Sequence, residues 1–281
     1  FATIFEKEAR RPMKHGIVSP QEKEAIPIMQ LIVERVLGDT KGSNEVLYIS
    51  TPADPIDVDM DVLYHKKTME ALTKRLKYDT RVIDEGLAVI YSELADFNFT
   101  GLGISVGAGL TNVTLAYMAS PLMSFSIGRG GDWIDEQVAK STGLTKEHVT
   151  STKEKVSSLS THVDVGSPEG ALNIYYDALI SYVIENLKKK LAHITPPEVA
   201  FPVAIAGGSS LPKGFFEMFE KKMNQAKLGI ELSKIVKAKD PLNSVARGCL
   251  IAAQTQESQT PGKHQQSQPT KQKPKAQKAT H

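Results

Sequence analysis

The sequence predicts an α/β protein built on a mixed sheet with helices on both faces. Three observations carry this. Short apolar runs of strand composition alternate with segments of helical period, which implies crossover connections and parallel pairing. Three strand-like runs follow one another between residues 100 and 128, which implies an antiparallel meander. The apolar run FPVAIA, residues 201–206, ends on Gly207 and Gly208 just before another helical segment.

Taken in order, Ser19, Pro20 and Glu22 read as a capping box with proline in the first turn. Ile26, Met29, Ile32, Val33 and Val36 follow at helical spacing, so a helix is expected to run to Gly38. EVLYIS, residues 45–50, is a short buried strand stopped by Thr51-Pro52, and residues 61–77 are polar enough for an exposed amphipathic helix. RVID (81–84) is a strand that enters the helix GLAVIYSEL (86–94). The meander consists of GLGISVG, NVTLAYM and LMSFSIG. Helices are expected over residues 132–140, 145–158, 169–193, 213–225 and 242–254, with the strand 201–206 between the third and fourth. No short tandem repeat is present.

Composition narrows the function classes. At 281 residues, with 41% hydrophobic and 23% charged, the chain can bury a sizeable core. No apolar run approaches the roughly eighteen residues of a membrane span. The five lysines and one glutamate after Gln254 account for +4, so the +2 of the whole chain leaves a core near −2. So nearly neutral a core has no footprint for a phosphate backbone, and no specific nucleic acid is expected as partner. The stretch from residue 255 to 281 lacks aromatic and branched apolar residues and is expected to be disordered, a flexible arm suited to an acidic partner or an anionic membrane surface. Cys249 sits beside Leu250 and Ile251 as a buried structural thiol, which fits a reducing cytoplasm. His15, His65, His148, His162 and His193 fall at no metal-ligand spacing, and neither a Gly-x-Ser-x-Gly elbow nor a Walker loop occurs. Trp133 reads as a packing residue. The chain opens on Phe1 with no leader, and FATIFEKEARRP reads as interior sequence, so an upstream segment is expected.

Four segments carry the residue types of phosphate chemistry. GISVGAGLTN places Gly107, Ala108 and Gly109 at a tight hairpin where backbone amides can approach an anion, with Thr111 as a hydroxyl donor; the same pattern also serves a plain hairpin. AIAGGSSLPKGF runs a buried strand through Gly207, Gly208 and Ser209 towards a helix N-terminus, where a flat ring or a ribose fits against main chain; an ordinary strand-to-helix turn has the same composition. In RVIDEGLAVIYS, Asp84 and Glu85 stand at a strand end entering an apolar helix. There a carboxylate can orient water for attack on a phosphoryl group, or simply compensate the helix dipole, and Glu85 is the sharper of the pair. Lys153 and Glu154 of TKEKV suit a ribose or base edge, or a solvated helix face.

The order of these pieces resembles the actin-like superfamily of actin, MreB, heat-shock chaperones and sugar kinases. RRPMKHGIVSPQEKEAIPIM resembles the MreB stretch into its first large helix, and LYISTPADP is similar to that family's strand ending in a Pro-Ala turn. The resemblance, which runs from Arg11 to about Ala253, implies the duplicated ribonuclease H-like α/β fold. It implies a remainder of a first lobe over residues 1–99, a second lobe over 100–254 and the tail from 255. RVIDEGLAVIYS resembles the segment with the water-orienting residue, which implies that role for Glu85. GISVGAGLTNVTLAYM resembles the second phosphate motif, implying that Ser105, Gly107, Ala108, Gly109 and Thr111 hold the β- and γ-phosphates. SFSIGRGGDWIDEQVA is similar to the family's segment after that meander, which implies that Gly130 and Gly131 lie near the nucleotide and that Asp135 opens the second lobe. TKEKV and AIAGGSSLPKGF imply that Lys153, Glu154, Gly207, Gly208 and Ser209 hold the nucleoside, and PLNSVARGCLIAA resembles the closing helix with its Ala-Arg-Gly.

ATP and Mg²⁺ are the implied ligands, and filament assembly, with ATP hydrolysis, the implied activity. The alternative is a catalytically weak nucleotide-sensing scaffold or chaperone-like module. Two departures bear on turnover: Ser105 stands where the family has Asp, and the Asp-x-Gly-Thr-like first phosphate hairpin belongs upstream of Phe1. The loops at 107–109 and 207–208 are expected to converge from opposite lobes on one purine triphosphate.

Overall fold

The computed structural model describes residues 12–18, 21–38, 40–42, 45–155, 158–159 and 166–258. Ser19 and Pro20, and the tail beyond Ser258, lie outside the described residues.

The central sheet has the order β7-β6-β5-β8-β9. β5 (Gly101–Val106), β6 (Thr111–Tyr117) and β7 (Ser120–Ile127) form the expected antiparallel meander, and β8 (Phe201–Ala206) and β9 (Leu232–Lys237) add parallel to β5 and to each other. A second sheet pairs β3 (Val46–Thr51) with β4 (Asp79–Asp84) in parallel. The large sheet is mixed and carries helices on both faces, as predicted. β9 was not expected: LSKIVK is half-exposed and interrupted by Ser233 and Lys234, so its pattern is faint. Also unexpected is a small hairpin of β1 (Met13–Lys14) and β2 (Ile17–Val18), whose strands are too short to show a period.

The helices fall where the periodicity puts them, with shifted ends. α1 is Ala25–Leu37, α2 Val62–Arg75, α3 Glu85–Glu93, α4 Gly131–Thr142, α5 Lys146–Lys155, α6 Pro168–Leu191, α7 Phe215–Gln225 and α8 Ser244–Ser258. α1 starts later than the capping box predicts, and its N-cap Glu24 makes no side-chain cap bond. α8 runs four residues past its expected end, so the segment 255–258 is helical. α6 begins on a capped turn in which Gly170 N–H donates to Ser167 Oγ at 2.9 Å ahead of an apolar stripe through Leu172, Tyr176, Leu179, Val183 and Leu187.

Two apolar layers result. One face of the large sheet packs Val113, Leu115 and Phe125 against α4, α6 and α7. On the other face small residues, Ala116, Ala204 and Ala206, admit α3 and α8. A strand–helix–strand–helix unit is repeated: β3-α2-β4-α3 and β8-α7-β9-α8. The closing helices are exchanged between the repeats. α3 lies across β5, β6 and β8, while α8 lies across β3. The two cross where Gly248 meets Ala88 so closely that a Cβ on Gly248 would fall 1.8 Å from the Ala88 carbonyl oxygen. Arg247 beside it pairs with the buried Glu93 carboxylate and donates from Nε to Ser92 Oγ at 2.8 Å. Cys249, also at this seam, is buried, and desolvation pushes its thiol up to about 11, in keeping with the inert structural thiol expected.

A strap, residues 53–58, ties the small sheet to the edge of the large one. Ser126 N–H donates to Asp54 O, Ile56 N–H to Ser126 O, and Ser126 Oγ to Ala53 O at 2.7 Å. Asp57 Oδ1 accepts from Gly128 N–H at 2.7 Å.

The hairpin β1–β2 is anchored by His65 of α2, only 4% exposed, whose Nδ1 accepts from Val18 N–H at 3.2 Å. Acceptance requires a neutral ring, and burial lowers the pKa of His65 below its ordinary value. The folded state therefore binds the proton less readily than the unfolded chain, and stability is lost as pH falls below about 6.5 towards the folded pKa. Thermal melts at pH 7.5 and 5.5 are expected to show a larger acid-induced drop for the parent chain than for His65→Gln. Equal drops would dismiss His65 as the titrating anchor.

Candidate functional site

Parallel pairing sets Ser105 of β5 opposite Ala206 of β8, so the loops leaving both strands emerge side by side at their carboxyl ends, where α/β sheets place ligands. The two glycine loops do converge, but not from opposite lobes: they are neighbours in one sheet, because the meander of the second half shares that sheet with β8. Gly207, at φ +97, turns so tightly over β5 that a Cβ would lie 2.3 Å from Val106 O.

The loop 107–110 is held from three sides. Gly107 N–H donates to Leu110 O at 2.9 Å, which commits that amide to the turn. Gly107 O accepts from Gly131 N–H at 3.0 Å and from Ser209 Oγ at 2.8 Å, and Ala108 O accepts from Asp132 N–H at 2.8 Å. The first turn of α4 thus grips the loop's carbonyls, with Gly130 and Gly131 against them. Gly109 lies on the backbone of His15, at the tip of β1–β2, where a Cβ would come within 2.2 Å. Thr111 is fully buried and donates from Oγ1 to Arg129 O at 2.8 Å; it would have to give up that bond to reach a phosphate. The Arg129 guanidinium lies 3.5 Å over the Tyr182 ring and 4.9 Å over Trp133, and Trp133 stands edge-on to Tyr175, the packing role expected of it.

Glu85 opens α3 at the end of β4. Its Oε2 accepts from Asn112 Nδ2 at 2.9 Å and from Ser105 Oγ at 3.3 Å. Burial pushes the Glu85 carboxyl above its usual range, and the bonds from Ser105 and Asn112 pull it partly back. Asn112 also accepts from Ala53 N–H at 3.0 Å, so one buried amide fixes both Glu85 and the root of the strap. Asn112 escaped the sequence reading; its signal is a polar residue opening the apolar run NVTLAYM.

Beyond the loop lies a pocket of about 550 Å³, within the range of small-ligand sites. Ala108, Lys153, Glu154, Gly208 and Ser209 line it together with Tyr176, Leu211 and Lys213. Lys153 Nζ donates to Gly131 O at 3.2 Å and lies 2.7 Å from Asp135 Oδ1. Asp135 is buried, and its Oδ2 accepts from Thr150 Oγ1 at 2.9 Å. Glu85 is not in this wall; it bonds to the root of the loop, through Ser105. A larger groove of about 1110 Å³ between α6 and α7 holds none of the sequence-predicted residues, and its charges are partly paired with each other, Lys222 with Asp177 at 2.9 Å. Convergence of separately predicted segments makes the smaller pocket the candidate site. Among the described residues no group of three or more His, Cys, Asp or Glu comes together to hold a metal ion, and no helix is long and apolar enough to cross a membrane.

Comparison with known proteins places this architecture. The Volactin family profile matches residues 1–253. No curated protein matches in sequence. Solved structures share the fold. The MamK double helical filament is 18% identical over 87% of this chain and 80% of that chain, with a TM-score of 0.68. MreB5 of Spiroplasma citri bound to AMPPNP is 16% identical over 88% and 79%, with a TM-score of 0.66. The ethanolamine utilization protein EutJ from Carboxydothermus hydrogenoformans is 20% identical over 86% and 78%, with a TM-score of 0.56. All three are actin-like. With its actin-like fold and a family match over residues 1–253, the chain belongs to the Volactin family.

Proposed function

We propose that this chain is an actin-like nucleotide-binding protein that holds ATP in the pocket beside loop 107–110, hydrolyses it slowly, and uses the nucleotide state to govern assembly into filaments of a cytoskeletal or cell-shape system in the cytoplasm. The observation that carries this reading is the gathering of Ala108, Lys153, Glu154, Gly208 and Ser209 around one pocket, since they come from three distant segments whose sequence motifs each suit a nucleotide. Two similar structures add support: MreB5 is bound to AMPPNP, and MamK forms a double helical filament. The lobes are residues 1–99 and 100–254, and the Lys-rich arm after them reaches towards acidic partners or an anionic membrane surface.

In this reading Lys153, Glu154 and Gly208 meet the nucleoside, and the loop 107–109 with Ser105 and Thr111 meets the phosphates. Glu85 orients the attacking water and is itself held by Ser105 and Asn112. Among the described residues no carboxylate cluster would cage a metal, so a Mg²⁺ accompanying the nucleotide would be held chiefly by the phosphates and would supply charge neutralisation there.

The scaffold reading keeps the pocket and loses turnover. Ser105 favours it, because a hydroxyl there donates to Glu85 where the family's carboxylate would face the phosphates. Ser105→Asp distinguishes the two. The new carboxylate would stand within about 3 Å of Glu85, and such a pair shares a proton at low pH. Phosphate release is therefore expected to rise roughly 10-fold or more in Ser105→Asp at pH 8, with a much smaller gain at pH 6. Strong release by the parent would reject the scaffold reading. For the nucleotide reading as a whole, ATP titration by calorimetry and ATP-dependent light scattering are decisive; no heat of binding and no rise in scattering would sink it.

A further inference from the structure

Among the described residues, two buried side-chain atoms have no hydrogen-bond partner: Asp135 Oδ1 on α4 and Tyr176 OH on α6. Buried polar atoms are so regularly satisfied that each exception asks for a reason. These two occupy one place. Tyr176 lines the candidate pocket with Lys153, and Lys153 Nζ stands 2.7 Å from Asp135 Oδ1, an ion-pair distance but off the line of a directional hydrogen bond. Burial first, and then the charge of Asp135, holds the Tyr176 phenol above its ordinary pKa, in keeping with the shared place that Lys153 gives the two groups.

Their chemistry is complementary. A phenol offers an O–H and a carboxylate oxygen accepts one. The ammonium of Lys153 now serves both Asp135 and Gly131 O. A nucleotide in the pocket would draw that ammonium towards itself. Asp135, 2% exposed, would then be left as a buried carboxylate holding only the Thr150 hydroxyl, a costly state unless another donor replaces the lysine.

Resting on the nucleotide reading above, we infer that Tyr176 is a positioning residue that takes over Asp135 Oδ1 when Lys153 turns to a bound nucleotide. The hydroxyl is held in reserve in the ligand-free chain, and the ligand can use the ammonium without stranding the carboxylate. A reserve donor weakens the empty state and favours the filled one, the requirement for a ligand-driven shift between two arrangements.

The test is calorimetric titration of AMPPNP into the whole chain, paired with thermal melts of the ligand-free protein, for parent, Tyr176→Phe, Asp135→Asn and the double variant. Tyr176→Phe is expected to weaken binding about 5–10-fold while leaving the ligand-free melting temperature unchanged or raised, since it deletes an unpaired hydroxyl. In the Asp135→Asn background, where no charge can be stranded, the same change is expected to alter affinity less than about two-fold. Parent-like affinity in Tyr176→Phe overturns the inference alone, as does a parallel fall in affinity and ligand-free stability, which would mark a purely structural role. Failure of the parent to bind AMPPNP overturns the nucleotide reading and this inference with it.

Discussion

Gly248→Ala is expected to destabilise the chain by about 3 kcal/mol and to lower its melting temperature by roughly 6–12 °C. The sign is the informative part. Inside a helix, alanine in place of glycine normally stabilises by up to about 1 kcal/mol, and Gly248 lies within α8. Here the added methyl would sit 1.8 Å from Ala88 O and 2.5 Å from Ala88 C. Both are backbone atoms of α3, so no rotamer change relieves the clash and the helices must part. Parting them opens the layer formed by Leu87, Ala88, Tyr91 and Ala252, and strains the pairing of Arg247 with Glu93. Gly42→Ala is the control. Its nearest neighbour would be the flexible end of Glu45 at 3.8 Å, and its effect is expected to stay within about 0.5 kcal/mol. Thermal or urea melts of the two variants decide the matter; equal stabilities would show that the α3–α8 crossing is not as close as described.

The second large effect concerns turnover. Glu85→Gln is expected to cut phosphate release about 100-fold with nucleotide affinity nearly unchanged. Glutamine matches the shape of glutamate, but the existing donors dictate how it must lie. Asn112 Nδ2 and Ser105 Oγ both point hydrogens at Oε2, so the amide oxygen has to occupy that place and the NH₂ is left where the second carboxylate oxygen was. A donor then faces the water that needs an acceptor. Glu85→Ala is expected to lose as much, and near-parental release by Glu85→Gln would dismiss this role. Because burial raises the Glu85 pKa, the acid limb of the parent's pH profile is expected above the ordinary glutamate range, and the ionised form is the active one.

Much of this was legible in the chain itself, for identifiable reasons. FPVAIA is buried on both faces and bounded by Pro197 upstream and Gly207 downstream, so β8 could be read to the residue. The meander announced itself by three apolar runs without a helical period between them. What stayed hidden depends on contacts distant in sequence. The turns at Asn98-Phe99 and Met118-Ala119 take positive φ without a glycine, stabilised by the bond of Ala119 N–H to Phe99 O between them. Asn112 and Tyr176 look ordinary in sequence, and only the fold brings one to Glu85 and the other into the pocket wall with Lys153. The expectation that the glycine loops meet from opposite lobes fails because register places β5 beside β8 in one sheet.

The exchange of closing helices bears on how the protein is made. α8 follows every described strand in the chain, yet it is the roof over β3, which leaves the ribosome long before it. Until α8 has emerged, Tyr48 and its neighbours lack part of their cover, and the nascent strand pair keeps apolar surface open. Settling of the small sheet is therefore tied to the arrival of a helix that follows the large one.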